Sequence, residues 1–89
     1  MEEIQHVRIK NPAGLHARPC HAIVTAARGF QADLSVSCDG LEVNGKSILE
    51  LMTLCAPCES SLTLRATGSD ARELVAAVAA LVDAGFGEM

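Results

Sequence analysis

Residues 33–43 carry the pattern that most narrows the fold. Leu34, Val36 and Cys38 alternate with Asp33, Ser35 and Ser37, so a strand here buries one face and exposes the other. Asp39-Gly40 follows, the dipeptide of a tight hairpin turn, and Leu41 to Val43 return as the partner strand. Leu62, Leu64 and Ala66 alternate with Thr63, Arg65 and Thr67 in the same way. Val7 and Ile9, set against His6, Arg8 and Lys10, mark a further strand over residues 4–10.

Between these strands the apolar period changes to that of a helix. Over residues 16–28, Cys20, Ile23, Val24 and Ala27 recur at helical spacing, and Gly29 is a natural stop. Ser47 to Leu54 reads as a short helix, and residues 55–60 as a loop around Pro57. Asp70 with Glu73 reads as a capping box that opens the last helix. Leu74, Val75, Val78, Leu81 and Val82 form the stripe of that helix, and Gly85 ends it. The order β-α-β-β-α-β-α predicts an α+β fold: an open-faced β-sandwich with a four-stranded antiparallel sheet and three helices on one face. At 89 residues the chain has room for one core, so a single domain over 1–89 is expected. Hydrophobic residues make up 49%, enough to fold without disulfides or a structural metal, and with two Phe, no Trp and no Tyr the core must be aliphatic.

Several function classes fall away. A net charge of -4 is the wrong sign for a nucleic-acid backbone binder, and base-stacking aromatics are missing. No apolar run approaches the roughly 20 residues needed to span a bilayer, so no membrane insertion is expected. The Met-Glu-Glu-Ile-Gln-His start lacks the basic and apolar regions of a signal peptide. A cytoplasmic protein with its four cysteines reduced is the expectation. A local basic patch of Arg8, Lys10, Arg18, Arg28 and Lys46 suits steering of an acidic protein partner.

The chemistry concentrates in Gly-Leu-His-Ala-Arg-Pro at 14–19, where a loop becomes a helix. A helix N-terminus offers unpaired N–H groups and a partial positive charge, and so attracts anions. Arg18 adds a planar, always-charged donor fork suited to phosphate. A histidine with a reference pKa of about 6.5 is a nucleophile near neutral pH. These residues read as an imidazole, His16, that accepts a phosphoryl group, and a helix start that holds it. Ser47 with Glu50 three residues on reads as a second capping box. A phosphate on that hydroxyl would be tolerated by the helix end and would place charge beside Ile48 and Leu51.

Gly40 to Ser47 matches the P-loop pattern letter for letter. Leu41 and Val43 alternate with Glu42 and Asn44 as a strand, however, whereas a P-loop must curl as a nest of amides. Cys55-Ala-Pro-Cys58 is half of a usual zinc site, and it follows a helix instead of starting one. Cys20 lies in the first turn of its helix, where the dipole is expected to lower its pKa. Small buried hydrophobe is the reading that fits the cysteines best.

Gly-Leu-His-Ala-Arg-Pro, Gly-Lys-Ser-Ile at 45–48 and the β-α-β-β-α-β-α order resemble HPr, the histidine-containing phosphocarrier of the bacterial phosphoenolpyruvate-dependent phosphotransferase system. The likeness extends to Thr67-Gly-Ser-Asp-Ala71 and to Phe-Gly-Glu at 86–88. The resemblance implies that His16 takes a phosphoryl group on Nδ1 from phosphorylated Enzyme I and passes it to an Enzyme IIA domain. It implies that Arg18 orients the phosphate, that the amides of Ala17 and Arg18 help to hold it, and that no cofactor or metal takes part. Ser47 matches a regulatory serine modified by an HPr kinase/phosphorylase. Ile48, Leu51 and Met52 would form the apolar partner surface, with Arg28 and Lys46 as its charged rim, and transient docking implies a monomer. Two branches share this pattern: a carrier feeding sugar permeases, and a regulatory carrier of the nitrogen-related or dihydroxyacetone-kinase type. A cysteine-based metal or redox module is the rival outside the family. Glu50, Cys20, Cys55 and Cys58 depart from the family pattern, and the resemblance places the Cys55 loop near the histidine.

Overall fold

In the computed structural model, which describes residues 1–88, four strands and three helices follow in the expected order. Strands β1 (Glu2–Arg8), β2 (Asp33–Cys38), β3 (Leu41–Asn44) and β4 (Ser61–Thr67) form one antiparallel sheet in the order β1-β4-β2-β3. Helices α1 (Ala17–Ala27), α2 (Ile48–Met52) and α3 (Ala71–Asp83) lie on one face of it. Because β4 inserts between β1 and β2, the β1-α1-β2 unit is split, and α1 must cross over the central strand.

The alternation in the sequence decides which face is covered. Val7, Leu62, Leu64, Ala66, Leu34, Val36 and Val43 are buried, while Thr63, Arg65, Ser35 and Ser37 point to the other face. Pairing registers such as Val36↔Val43 and Leu64↔Val36 keep these buried positions side by side. Ile9, Ile23, Leu51 and Leu74 complete the core between sheet and helices. Each such side chain contributes about 1.5–3 kcal/mol through burial. Asp39 and Gly40 have φ of 51° and 85°, the pair of positive angles that a type I′ hairpin requires.

Several boundaries and contacts differ from expectation. Strand β1 runs Glu2–Arg8 in place of 4–10, because its ladder extends back to Glu2↔Thr67. Helix α2 stops at Met52, short of Leu54, where the Thr53 N–H turns to the Glu50 carbonyl and closes the helix in a tighter turn. Asp70 is not a side-chain cap. Its carboxylate instead accepts the Gln31 and Ala32 N–H groups at 2.9 and 2.8 Å, tying the α1–β2 loop to the start of α3. On α3, Leu81 is only half-buried, and Ala79 takes the inward position. Past α3 the chain makes a 3-10 turn over Gly85–Gly87. The P-loop pattern forms no P-loop, as its strand alternation implied. Leu41–Asn44 pair as β3, and a Cβ on Gly45 would meet the Leu34 side chain at 2.5 Å, which leaves no cradle for phosphates.

Candidate functional site

His16 is the N-cap of α1, in extended conformation (φ -98°, ψ -166°), and its side chain makes no cap hydrogen bond. The imidazole is therefore free to project from the helix start. The first backbone bond of the helix runs from the Cys20 N–H to the His16 carbonyl at 3.1 Å. Pro19 has no N–H, so Ala17 and Arg18 supply the two unpaired amides of this first turn. No acidic side chain shares that turn to compete for them.

The loop before His16 is seated from behind. Gly14 has φ +74°, and a Cβ there would stand 2.6 Å from the Ala56 carbonyl oxygen. That same oxygen accepts the Leu15 N–H at 2.8 Å. Asn11, fully buried, donates from Nδ2 to the Gly14 carbonyl at 2.7 Å and so holds the loop from within.

A carboxylate completes the arrangement. Both oxygens of Glu88 lie 3.0–3.1 Å from His16 Nε2, and Asn11 Nδ2 donates to Glu88 Oε1 at 2.9 Å. A carboxylate only accepts, so Nε2 carries a proton, and in the neutral ring Nδ1 keeps its lone pair. Among the described residues Nδ1 has no hydrogen-bond partner. The His16 bond holds the Glu88 carboxyl below its ordinary range, against some desolvation, with help from the Asn11 bond and the nearby Arg18 charge. Positive φ at Gly85, Phe86 and Gly87 (63°, 55° and 75°) turns the chain end back towards the histidine. Phe86 packs against the core and anchors that turn. Arg18 is exposed and lines one shallow cleft with Pro12, Ala13, His16, Gly87 and Glu88.

Asn11 and Glu88 escaped the sequence reading. Asn11 looks like an ordinary turn residue beside Pro12. Glu88 lies 72 positions from His16, so no local spacing links them. The one usable signal was a carboxylate following two glycines, Gly85 and Gly87, just past a helix stop.

The remaining candidates divide. Ser47 caps α2, its Oγ accepting the Glu50 N–H at 3.2 Å, but the box is half-formed because the Glu50 carboxylate accepts from the Asn44 N–H. Ile48 is half-buried against the core, and Met52 is 41% exposed. Leu51 is fully buried, so it cannot belong to a partner surface, and Leu49, at 79% exposed, takes that place on α2. Lys46 is half-buried, with Nζ donating to the Phe30 carbonyl at 2.9 Å, which makes it a tie between loops more than a charged rim. Arg28, the C-cap of α1, is exposed. Cys20 is buried, and burial pushes its thiol up to about 11, the opposite of the lowering expected from the helix dipole.

A half-buried histidine with one nitrogen held and the other free, presented on an open-faced sandwich beside a guanidinium, suits a carrier that hands a group between partners. The family model for the PTS HPr component phosphorylation site matches residues 4–84. The chain is 38% identical over 84 residues to phosphocarrier protein HPr of Mycoplasma genitalium, covering 93% of this chain and 94% of that one. It is also 38% identical over 78 residues to the HPr-like protein Crh of Bacillus subtilis, covering 88% and 92%. The crystal structure of HPr-C-His from Thermoanaerobacter tengcongensis superposes with a TM-score of 0.93 at 36% identity, covering 98% of both chains. The chain belongs to the HPr family, the phosphocarriers of the phosphotransferase system, and is a carrier and not an enzyme. None of its helices is long and apolar enough to cross a membrane among the described residues.

Proposed function

We propose that His16 accepts a phosphoryl group on Nδ1 from phosphorylated Enzyme I and passes it to an Enzyme IIA domain in sugar uptake. The observation that carries this is the contact of Nε2 with Glu88 at 3.0 Å, which leaves Nδ1 as the nucleophile. In the transfer, the Nδ1 lone pair forms the new N–P bond as the bond from phosphorus to the donor breaks. The positive charge this leaves on the ring faces the Glu88 carboxylate. Ala17 and Arg18 amides and the Arg18 guanidinium take the phosphoryl oxygens, as a helix start and an arginine fork are suited to do. The donor and acceptor proteins bring the remaining groups, so an open surface suffices here. A monomer is the proposed working unit, as transient docking to a donor and then to an acceptor suits.

Leu49 and Met52 on α2, with the edge of Ile48, are the proposed apolar contact for both partners, and Arg28 is the charged contribution at the rim. Ser47 is the proposed regulatory position for an HPr kinase/phosphorylase, since it holds a half-exposed hydroxyl at the start of that same helix.

Intact mass after incubation with phosphoenolpyruvate and Enzyme I tests the central claim. One added phosphate, removed by mild acid and absent from His16→Ala, is the expected result. Arg18→Ala is expected to slow acceptance with the fold intact. An acid-stable phosphate, or one that survives His16→Ala, would overturn the assignment.

A further inference from the structure

The loop that seats the histidine carries two thiols that phosphoryl transfer does not use. Cys55 and Cys58 are both free and bracket Ala56-Pro57; Cys55 is exposed and Cys58 half-buried. Cys55 has φ +47°, in the left-handed region where a side chain is strained and glycine is not. The chain therefore carries a thiol at a position whose backbone favours no side chain at all.

The two sulfurs face different parts of the molecule. Cys55 Sγ donates to the Met52 carbonyl at the end of α2, at 3.5 Å. Cys58 Sγ donates to the Lys10 carbonyl beyond β1, at 3.6 Å. Between them the backbone makes no turn or bend at residues 55–57. A disulfide needs its two sulfurs turned towards each other, so closing this pair means giving up the Met52 and Lys10 contacts and re-aiming the backbone through Ala56 and Pro57. Ala56 is the residue whose carbonyl takes the Leu15 N–H at 2.8 Å. It also leaves no room for movement on its Gly14 side, where a Cβ would stand 2.6 Å from that oxygen and 3.0 Å from the Pro57 Cα.

We propose that Cys55 and Cys58 form a redox-modification site: exchange with a small-molecule disulfide closes them into an intramolecular disulfide, which shifts the Ala56 seat and slows phosphoryl acceptance at His16. The coupling to His16 rests on the phosphocarrier reading; the closure itself does not. The exposed Cys55 thiolate attacks one sulfur of the small disulfide, forming a mixed disulfide and releasing one small thiol. The Cys58 thiolate then attacks the Cys55 sulfur and releases the second small thiol. Two electrons and two protons pass from the protein to the small disulfide, and no other oxidant is required. Cys20 and Cys38, both buried, take no part. A dithiol reverses the exchange, and the loop returns to its seat.

The test treats the full chain with glutathione disulfide. The expected product has lost two hydrogens, carries no glutathione, and has its link inside the tryptic peptide 47–65. The Leu15 amide resonance should move on closure and return with dithiothreitol. Phosphoryl acceptance from Enzyme I should fall roughly ten- to hundredfold on closure, as a misplaced reacting group would cause, and recover on reduction. Cys55→Ser and Cys58→Ser should keep the reduced rate and lose the sensitivity. Glutathione retained on both thiols without a link would overturn the closure. A closed protein with an unmoved Leu15 amide or an unchanged rate would overturn the coupling. A reduced protein that accepts no phosphate would instead defeat the phosphocarrier reading, leaving mass and the Leu15 resonance to judge the closure alone.

Discussion

His16 owes its chemistry to which of its ring nitrogens is occupied. Glu88 accepts a hydrogen bond from the Nε2–H and fixes the tautomer, and Asn11 fixes Glu88, so two residues behind the ring orient the imidazole proposed to carry the phosphoryl group. Glu88→Gln keeps the size of the side chain and removes its charge. Phosphoryl acceptance should then fall roughly tenfold, and the nitrogen resonances of neutral His16 should shift towards a mixture of tautomers. An unchanged rate and tautomer would remove Glu88 from the site. Gly14 presents the opposite case, a residue that acts only through its lack of a side chain. Gly14→Ala combines a φ of +74° with a 2.6 Å clash against backbone, so it should cost about 1–3 kcal/mol in chemical denaturation and displace the loop carrying His16.

At the scale of elements, α2 shows how far a sequence can be read. Its existence, its Ser47 cap and its position after the β2–β3 hairpin were all legible, because capping and alternation are local signals. Which of its apolar residues faces out was not. In five residues a helix makes barely more than one turn, so Ile48, Leu49, Leu51 and Met52 cannot be sorted by period alone. Packing against α1 and the sheet decides it, turning Leu51 in and Leu49 out. Leu51→Ala should therefore cost about 2–5 kcal/mol of stability, whereas Leu49→Ala should leave stability within about 0.5 kcal/mol and weaken docking to Enzyme I. A stability loss at Leu49 equal to that at Leu51 would refute the assignment. Asp70 failed for a related reason: the local pattern offered a capping box, and a loop 38 residues away claimed the carboxylate instead. The histidine side of the site was legible because its residues are contiguous; the Glu88 side was not, because tertiary folding alone brings it there. Charge on α2 carries its own consequence. The Glu50 carboxylate, held on the Asn44 N–H, lies in the first turn beside the Ser47 hydroxyl, where it would repel an added phosphate. Glu50→Lys should raise the rate at which an HPr kinase modifies Ser47, read as acid-stable phosphate; a slower rate would show that the kinase uses Glu50 for recognition.

For the whole molecule, the tie through Asp70 closes the fold around its crossover. Helix α1 leaves the sheet after β1 and must return the chain to β2, and the loop that does so, Gly29–Ala32, is fastened twice. Lys46 Nζ holds the Phe30 carbonyl from the β3–α2 side, and Asp70 holds the Gln31 and Ala32 amides from the α3 side. Gly68 lies against Ala32 so closely that a Cβ would stand 2.7 Å from its Cα, so the two loops have no slack between them. Hydrogen bonds from Gln31 first, then Ala32, with Lys46 nearby, hold the Asp70 carboxyl below its ordinary 3.8. Since the folded state binds this proton less readily than the unfolded chain, the contribution is fully present above pH 3.8 and is lost as pH falls below that towards the depressed folded value. Asp70→Asn keeps an oxygen acceptor but has no charge to lose. Melting temperatures of the two proteins should therefore differ at neutral pH, with wild type higher, and converge as pH falls below the ordinary aspartate range. Curves that stay parallel throughout would mean that Asp70 acts by shape alone. A gap that widens in acid would mean that the carboxylate is disfavoured in the folded state, contrary to its two backbone donors.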